Sequence, residues 1–208
     1  TWQPVDHPGD FHGMRLLALA MRPFSEGVAM ATDEQFWRET WSDPAVGRCL
    51  ASVMLSGAPA LSFDPARVPA SHIRIVRAWL GFYQQHREAL SRGDFTPFGS
   101  LRCPAQKIEH GDRAYVLVTD SSSANRIPLA SPREAYLVNI TEREQSDWTI
   151  TGLRTGPYRV TVCDRELQEI AGTAQRTSGR LILRAPVPVG GMVKLEHLET
   201  RDRLARRL

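Results

Sequence analysis

The loop Val5-Asp-His-Pro-Gly-Asp10 combines the residue types most able to do chemistry in this sequence. It places two carboxylates, Asp6 and Asp10, directly after a short run that favours the end of a strand. Cleavage of a glycosidic bond needs two such groups: one protonates the departing oxygen, and the other attacks the sugar or activates water. Asp10 has a second interpretation, because it is placed to cap a following helix. Asp6 lies too far upstream to cap that helix and is the better catalytic candidate.

The same loop also holds the ligand types of a metal site, in Asp6, His7, Asp10 and His12. Pro8 interrupts this set, and the segment lacks the i,i+4 geometry of helical metal ligands, so we expect no metal. We predict no cofactor either. The three cysteines are widely spaced and odd in number, which disfavours a disulfide framework and a zinc cluster: Cys49, Cys103 and Cys163.

The first 93 residues contain three predicted strand–loop–helix units that would position these carboxylates. The predicted helices run from Asp10 to Pro23, from a cap at Asp43 with Pro44 in first position to Gly57, and from a cap at Ser71 to Gly93. Such units imply parallel strands joined by crossover helices. Because a complete barrel takes roughly 250 residues, we interpret residues 1–95 as the last strand–helix units of a (β/α)8 TIM barrel. The alternative is a small, complete α/β domain.

After Gly99 the hydrophobic pattern changes to a period of two. Short strands are predicted at Ala114–Val118, Ala135–Ile140, Trp148–Ile150, Tyr158–Val162, Arg180–Leu183 and Met192–Leu195. Glycine-containing turns separate them, as is typical of an antiparallel β-sandwich. We therefore predict a sandwich over residues 96–200, followed by a basic tail at 201–208. Within it, Trp148 fits a core position better than a sugar-stacking surface.

Several segments together resemble the closing part of the barrel in glycoside hydrolase family 36, the α-galactosidase family. They are Asp6-His-Pro-Gly-Asp10, Met14-Arg-Leu16, Gly27-Val-Ala-Met-Ala-Thr-Asp33 with Trp37, Ala58-Pro-Ala-Leu-Ser-Phe63 and His72 to Glu88. Val187-Pro-Val-Gly-Gly-Met-Val-Lys-Leu195 is similar to the carboxyl-terminal β domain of that family. The resemblance follows the same order along nearly the whole chain.

The resemblance implies a retaining α-galactosidase that works through a covalent galactosyl-enzyme ester. Asp6 matches the acid/base aspartate of the family, and Asp10 matches a second aspartate of the same loop. Asp33 and Trp37 match a loop at the rim of the sugar pocket. The family nucleophile corresponds to a segment before Thr1, so we expect this chain alone to be inactive.

The remaining composition restricts the partners that we expect. A net charge of +3, with arginines mixed among acids, argues against nucleic acid. No apolar run approaches the roughly 18 residues of a membrane-spanning helix, so no membrane is expected. The expected partners are a carbohydrate substrate and the remainder of the catalytic barrel, and oligomerisation is left open.

Two other functions fit the same sequence. One is a non-catalytic binding or scaffold module in which the β-rich half is the working part. The other is a related α-glycosidase or a glycosyl-transferring enzyme. His72 and His86, on the third predicted helix, are interpreted as surface or packing residues, and Cys49 as a small buried apolar residue.

Overall fold

A computed structural model describes residues 20–21, 31–36, 39–100, 103–119 and 126–198. Besides the helical pair Ala20 and Met21, these residues contain two helices, α1 (Asp43–Ser56) and α2 (Ala70–Arg92). They also contain ten strands: β1 (Ala31–Phe36), β2 (Ala58–Ser62), β3 (Asp94–Ser100), β4 (Cys103–His110), β5 (Arg113–Val118), β6 (Arg126–Pro128), β7 (Glu134–Asn139), β8 (Trp148–Cys163), β9 (Glu169–Leu183) and β10 (Met192–His197).

The strands β1 and β2 form a two-stranded parallel sheet, and α1 connects them. Parallel neighbours need such a crossover because the chain must return to the same end of the sheet. Pro44 lies in the first turn of α1, where its missing N–H removes no helical hydrogen bond. The helix ends where the Gly57 N–H donates to the Val53 carbonyl, as predicted.

The 23-residue helix α2 presents one apolar face to the rest of the molecule. Its buried residues recur three and four positions apart, which is the spacing of one face of a helix; they are His72, Ile75, Val76, Trp79, Phe82, His86, Ala89 and Leu90. The helix ends at Gly93, whose N–H donates to the Ala89 carbonyl. This end was also predicted, since the periodic apolar pattern stops there.

The remaining strands form one mixed, eight-stranded sheet. Its order is β3-β4-β5-β7-β10-β8-β6, and β9 pairs with β8. The pairs β5–β7 and β6–β8 are parallel, and the other pairs are antiparallel. β10 lies between β7 and β8, although it is the last of these strands in sequence.

The predicted fold class is therefore wrong. We expected the last units of a (β/α)8 TIM barrel followed by an antiparallel β-sandwich, whereas the described residues form a mixed β-sheet with two helices. Alternation in hydrophobicity identifies a strand, but it specifies neither the neighbour of that strand nor the direction of pairing. The division at residue 95 stays a prediction.

Three of the turns predicted from glycine, at Gly152, Gly156-Pro157 and Ser178-Gly179, lie inside strands, and the last of them is in β9. Gly152 and Gly156 are both part of β8, which bends instead of ending. The pairing of β8 with β9 shifts in register between Thr151 and Thr155, as at a β-bulge. Gly152 has φ +70°, and a Cβ there would overlap the carbonyl oxygen of Leu129. Glycine at this position therefore allows the bend and does not terminate the strand.

Apolar cores lie on both faces of the eight-stranded sheet, whereas the first part of β9 is exposed. One face packs against α1 and α2 through the apolar side chains Ile108, Tyr115, Leu117, Tyr136, Val138 and Met192. The other face carries a second apolar core, to which β8 and β9 contribute. It contains Ala114, Val116, Leu137, Trp148, Ile150, Tyr158, Val160, Leu181 and Val193. The predicted core position of Trp148 is confirmed, since this side chain is fully buried.

Candidate functional site

The residues that the sequence singled out for chemistry fall mostly outside the described part of the chain. Asp6, Asp10 and Trp37 lie outside the described residues, so their predicted roles stay predictions. Asp33 was expected in a loop; its backbone instead belongs to β1.

The carboxyl ends of β1 and β2 lie side by side, with Phe36 paired to Ser62. In sheets of parallel strands, ligands bind in the crevice beyond the carboxyl ends of the strands. The chain that follows β1 leads into α1, and the chain that follows β2 leads into α2. This edge is therefore the place at which a site would be formed by the first half of the chain.

Three polar side chains connect the beginnings of the two helices at this edge: Asp43, Ser71 and His72, called here the Asp43 cluster. The Ser71 hydroxyl donates to the Asp43 carboxylate over 2.8 Å. His72 Nε2 donates to the Trp41 carbonyl over 3.0 Å and lies 3.5 Å from the same carboxylate. The cluster fixes the segment that enters α1 against the beginning of α2.

The Asp43 cluster corrects two predicted helix caps. Asp43 and Ser71 were expected to cap their helices, but the N-cap positions are Ser42 and Pro69. The two side chains are used to bind each other instead. Local patterns missed this because the partners are 28 positions apart in sequence. His72 was predicted to be a surface or packing residue, and it is a buried hydrogen-bond donor.

The Asp43 cluster contains the residue types of a hydrolytic triad but not its connectivity. In a triad the serine donates its proton to histidine, and the carboxylate orients the histidine ring. Here Ser71 donates to the carboxylate, and His72 Nε2 donates to a backbone carbonyl. His72 is therefore not placed to take a proton from Ser71, and the hydrogen bonds of the described residues give the cluster a positioning role.

A second polar site opens at the β4–β5 turn and the beginning of β7. It is a cleft of about 410 Å³ lined by His110, Asp112, Arg113, Arg133 and Glu134. Arg113 Nε lies 3.2 Å from the Glu134 carboxylate, and Arg133 lies 3.9 Å from Asp112. Arg154 also binds Asp112. Both carboxylates of the cleft are therefore paired with guanidinium groups.

The electrostatics of the cleft favour the ionised form of Glu134. Partial burial alone would raise the pKa of Glu134, but the Tyr136 hydroxyl, Arg113 and Lys194 together lower it. Glu134 accepts a hydrogen bond from Tyr136 over 3.0 Å. A general acid needs the opposite shift, because it must keep its proton near neutral pH. Glu134 therefore suits binding and positioning, and does not suit proton donation.

An aromatic network lies beneath this cleft, between the sheet and α2. Tyr115 and Tyr136 are paired in register on the parallel strands β5 and β7, and their rings stack with centroids 5.2 Å apart. His86 packs against both rings, and its Nδ1 lies 3.0 Å from the Tyr115 hydroxyl. Burial raises the pKa of Tyr115 to about 12, and the pKa of Tyr136 is also raised. Both phenols therefore stay protonated and hold the cleft floor rigid.

One sequence signal could have found this network. The dipeptide Ala-Tyr occurs at 114–115 and again at 135–136, each time at the second and third positions of a strand. If two strands that share such a motif pair in parallel and in register, the same residue types lie side by side. The repeated motif does not by itself show that the two strands pair in parallel.

The described residues show neither a metal centre nor a membrane-spanning helix. Among them, no three histidine, cysteine, aspartate or glutamate side chains are grouped closely enough to hold a metal ion. Neither described helix combines the length and the hydropathy needed to cross a bilayer.

Comparisons with known proteins include a weak structural similarity. No family model and no curated protein matches the chain. The crystal structure of the GH39 enzyme from Xanthomonas axonopodis pv. citri, a glycoside hydrolase, is similar with a TM-score of 0.38 and 8% sequence identity. The alignment covers 94% of this chain and 50% of that chain, so this chain spans about half the length of that enzyme. A TM-score this low establishes no shared fold.

Proposed function

We propose that this chain is the carboxyl-terminal part of a retaining glycoside hydrolase that cleaves terminal α-galactosides. In this proposal Asp6 is the acid/base, and Asp10 is the second candidate for that role. Asp33 and Trp37 contribute to the sugar pocket. The nucleophilic aspartate belongs to a preceding segment of the catalytic domain, which is the expected partner of this chain.

The observation that carries the proposal is the parallel pairing of β1 and β2. Their carboxyl ends meet at one edge, where Phe36 and Ser62 are paired. The Asp43 cluster fixes the chain beyond that edge, and Trp37 follows β1 directly. Catalytic residues on parallel strands are held by loops at this end. This edge supports the proposal because it is where a loop that carries catalytic residues would be expected.

The carboxylates of the described cleft do not suit the two catalytic roles of a retaining glycosidase. A retaining enzyme needs two carboxyl groups about 5–5.5 Å apart, and the acid of the pair needs a raised pKa. Glu134 has a lowered pKa, and both Glu134 and Asp112 are paired with arginines. The cleft carboxylates are therefore assigned no step, and the reaction requires Asp6 together with the upstream nucleophile.

The test is hydrolysis of α-galactosides by the isolated chain and by a longer protein that includes the preceding segment. We expect no activity from the isolated chain and measurable activity from the longer protein. Asp6→Asn should lower kcat/KM, which reports cleavage of the glycosidic bond in the first step, by about 10²- to 10⁴-fold for an unactivated galactoside. The loss for p-nitrophenyl α-galactoside should be smaller, because p-nitrophenolate leaves without being protonated. Asp112→Asn, which changes a carboxylate in the cleft, is the matched control and should leave both rates unchanged.

Equal losses for the two substrates would contradict the acid/base role of Asp6. Activity of the isolated chain would contradict the upstream position of the nucleophile. Activity on other α-glycosides, or transfer without hydrolysis, would retain the mechanism and overturn the assigned substrate.

A second candidate is a non-catalytic module, and the cleft is the observation that favours it. Its carboxylates are paired with arginines, and the pKa of Glu134 is lowered, which suits binding of a polar ligand and not acid catalysis. Two results together would support this candidate over the first. The longer protein would be inactive on all glycosides but would bind a sugar, and Arg113→Ala would abolish that binding.

A further inference from the structure

The strand β9 forms an exposed edge of the sheet. It is 15 residues long and pairs with β8 along one side. Within the part of the chain that the structure describes, no strand pairs with its other side. Six consecutive residues, Glu169–Ala174, are exposed. An unpaired edge of this length is a template for the addition of another strand.

β9 lacks two of the usual devices that protect an edge strand. Its sequence contains neither proline nor lysine. Two large apolar side chains of the described residues are exposed, Ile170 at 54% and Ile182 at 41%, and both lie on this strand. The composition of β9 therefore favours a partner and not a permanently solvated edge.

The pairing with β8 contains a bulge near the beginning of β9. Glu169 is opposite Cys163, and Ala171 is opposite Val162, so that Ile170 is an additional residue. The bulge directs the Glu169 carboxylate over Gly172, where an added Cβ would contact it.

Glu169 and Arg180 consequently share one face of β9. Gly172 and Arg180 are eight positions apart and therefore lie on the same face of the strand. Neither Glu169 nor Arg180 forms an ion pair with another described residue. Glu169 lies near one end of β9 and Arg180 near the other. In an antiparallel pair of identical strands, the carboxylate of each copy would therefore lie near the guanidinium group of the other.

We propose that β9 pairs in antiparallel fashion with β9 of a second copy of this chain, about a two-fold axis that passes Gln175. Such an interface is self-complementary, since each contact occurs twice. In this register Ala174 lies opposite Arg176 and, beyond the bulge, Glu169 lies opposite Arg180. A register centred on Arg176 would place two guanidinium groups directly opposite each other, which is destabilising. The interface joins the two eight-stranded sheets into one.

The test is the oligomeric state of the 208-residue chain, measured by light scattering across a range of concentrations. We expect a dimer that Glu169→Arg and Arg180→Glu each weaken, because each places like charges opposite one another twice. The dissociation constant should rise about tenfold or more. The double variant Glu169→Arg/Arg180→Glu should restore the dimer. Arg176→Glu, which makes the same change of charge opposite Ala174, is the matched control and should leave the dimer intact.

Three outcomes would overturn the proposal. One is a wild-type chain that is monomeric at every concentration. Another is a monomer whose β9 amides resist hydrogen exchange, since the edge would then be covered by the chain itself. The third is a dimer that the single variants and Arg176→Glu weaken equally and the double variant does not restore. Circular dichroism spectra of all variants establish that each is folded.

Discussion

His86 Nδ1 on α2 and the Tyr115 hydroxyl on β5 lie 3.0 Å apart in the layer between the helix and the sheet. The imidazole is 3% exposed and packs against the rings of Phe82 and Tyr136. Burial and the positive charge of Arg113 lower its pKa to about 4. The histidine is therefore neutral in the folded protein, and protonation opposes the packing of α2 on the sheet.

This relationship predicts a pH dependence of stability. The unfolded chain binds a proton at His86 below about pH 6.5, whereas the folded chain does so only near pH 4, so the free energy of unfolding falls as pH falls through this window. The full loss is at most about 3 kcal/mol. Charges facing the ring contribute in both directions, since Glu134 raises its pKa and Lys194 lowers it. Urea unfolding at a series of pH values measures the effect.

His86→Phe should remove this part of the pH dependence, because phenylalanine fills the site without binding a proton. The exposed His110 offers a control: His110→Gln should leave the slope as it is in the wild type. Folding also lowers the pKa of Glu134, so below the ordinary pKa of glutamate the unfolded chain binds this proton first and stability falls for a second reason. The contribution of His86 is therefore measured above that pH. An unchanged slope in His86→Phe would contradict the assignment.

Substitution of Gly152 should be among the most destabilising single changes in β8. Alanine there would have a positive φ, and its Cβ would overlap the Leu129 carbonyl oxygen. Gly152→Ala should lower the free energy of unfolding by about 3 kcal/mol or more. Gly111 has φ +55° and open space around its Cβ position, so Gly111→Ala should cost only the conformational term of about 1 kcal/mol. Urea unfolding compares the two, and equal losses would show that the contact with Leu129 is unimportant.

The hydroxyl of Tyr158 connects two backbone segments in the interior. It donates to the Pro132 carbonyl over 3.0 Å and accepts from the Arg154 N–H over 3.1 Å. Tyr158→Phe keeps the ring and leaves both backbone groups without this partner, so it should lower the free energy of unfolding by about 1–3 kcal/mol. The denaturant m-value should not change. A stability equal to the wild type would mean that water replaces the hydroxyl.

The sequence predicted the elements better than their arrangement. The helix ends at Gly57 and Gly93 are local signals, and both are confirmed. β4 was missed, since Cys103–His110 does not alternate between apolar and polar residues. The parallel pairing of Tyr115 with Tyr136 depends on contacts between distant segments, which local periodicity does not encode.

The candidate sites divide in the same way. Asp43 and Ser71 were both identified as helix-terminal residues from local spacing. Their hydrogen bond to each other could not be predicted, because it depends on how α1 and α2 pack. The cleft beside Glu134 was missed altogether, since Arg113, Arg133 and Arg154 come from separate segments that carry no motif. Asp6 and Asp10 remain predictions from the sequence.

The strand β8 pairs with β6, β9 and β10, which come from segments on both sides of it in the chain. Its second half cannot complete its hydrogen bonding until β10, about thirty residues later, arrives between it and β7. Loop-closure entropy is therefore lost before most of the sheet can compensate for it. During synthesis on the ribosome, nearly all residues of this sheet must emerge before it can be completed, and until then its apolar strands are exposed to aggregation.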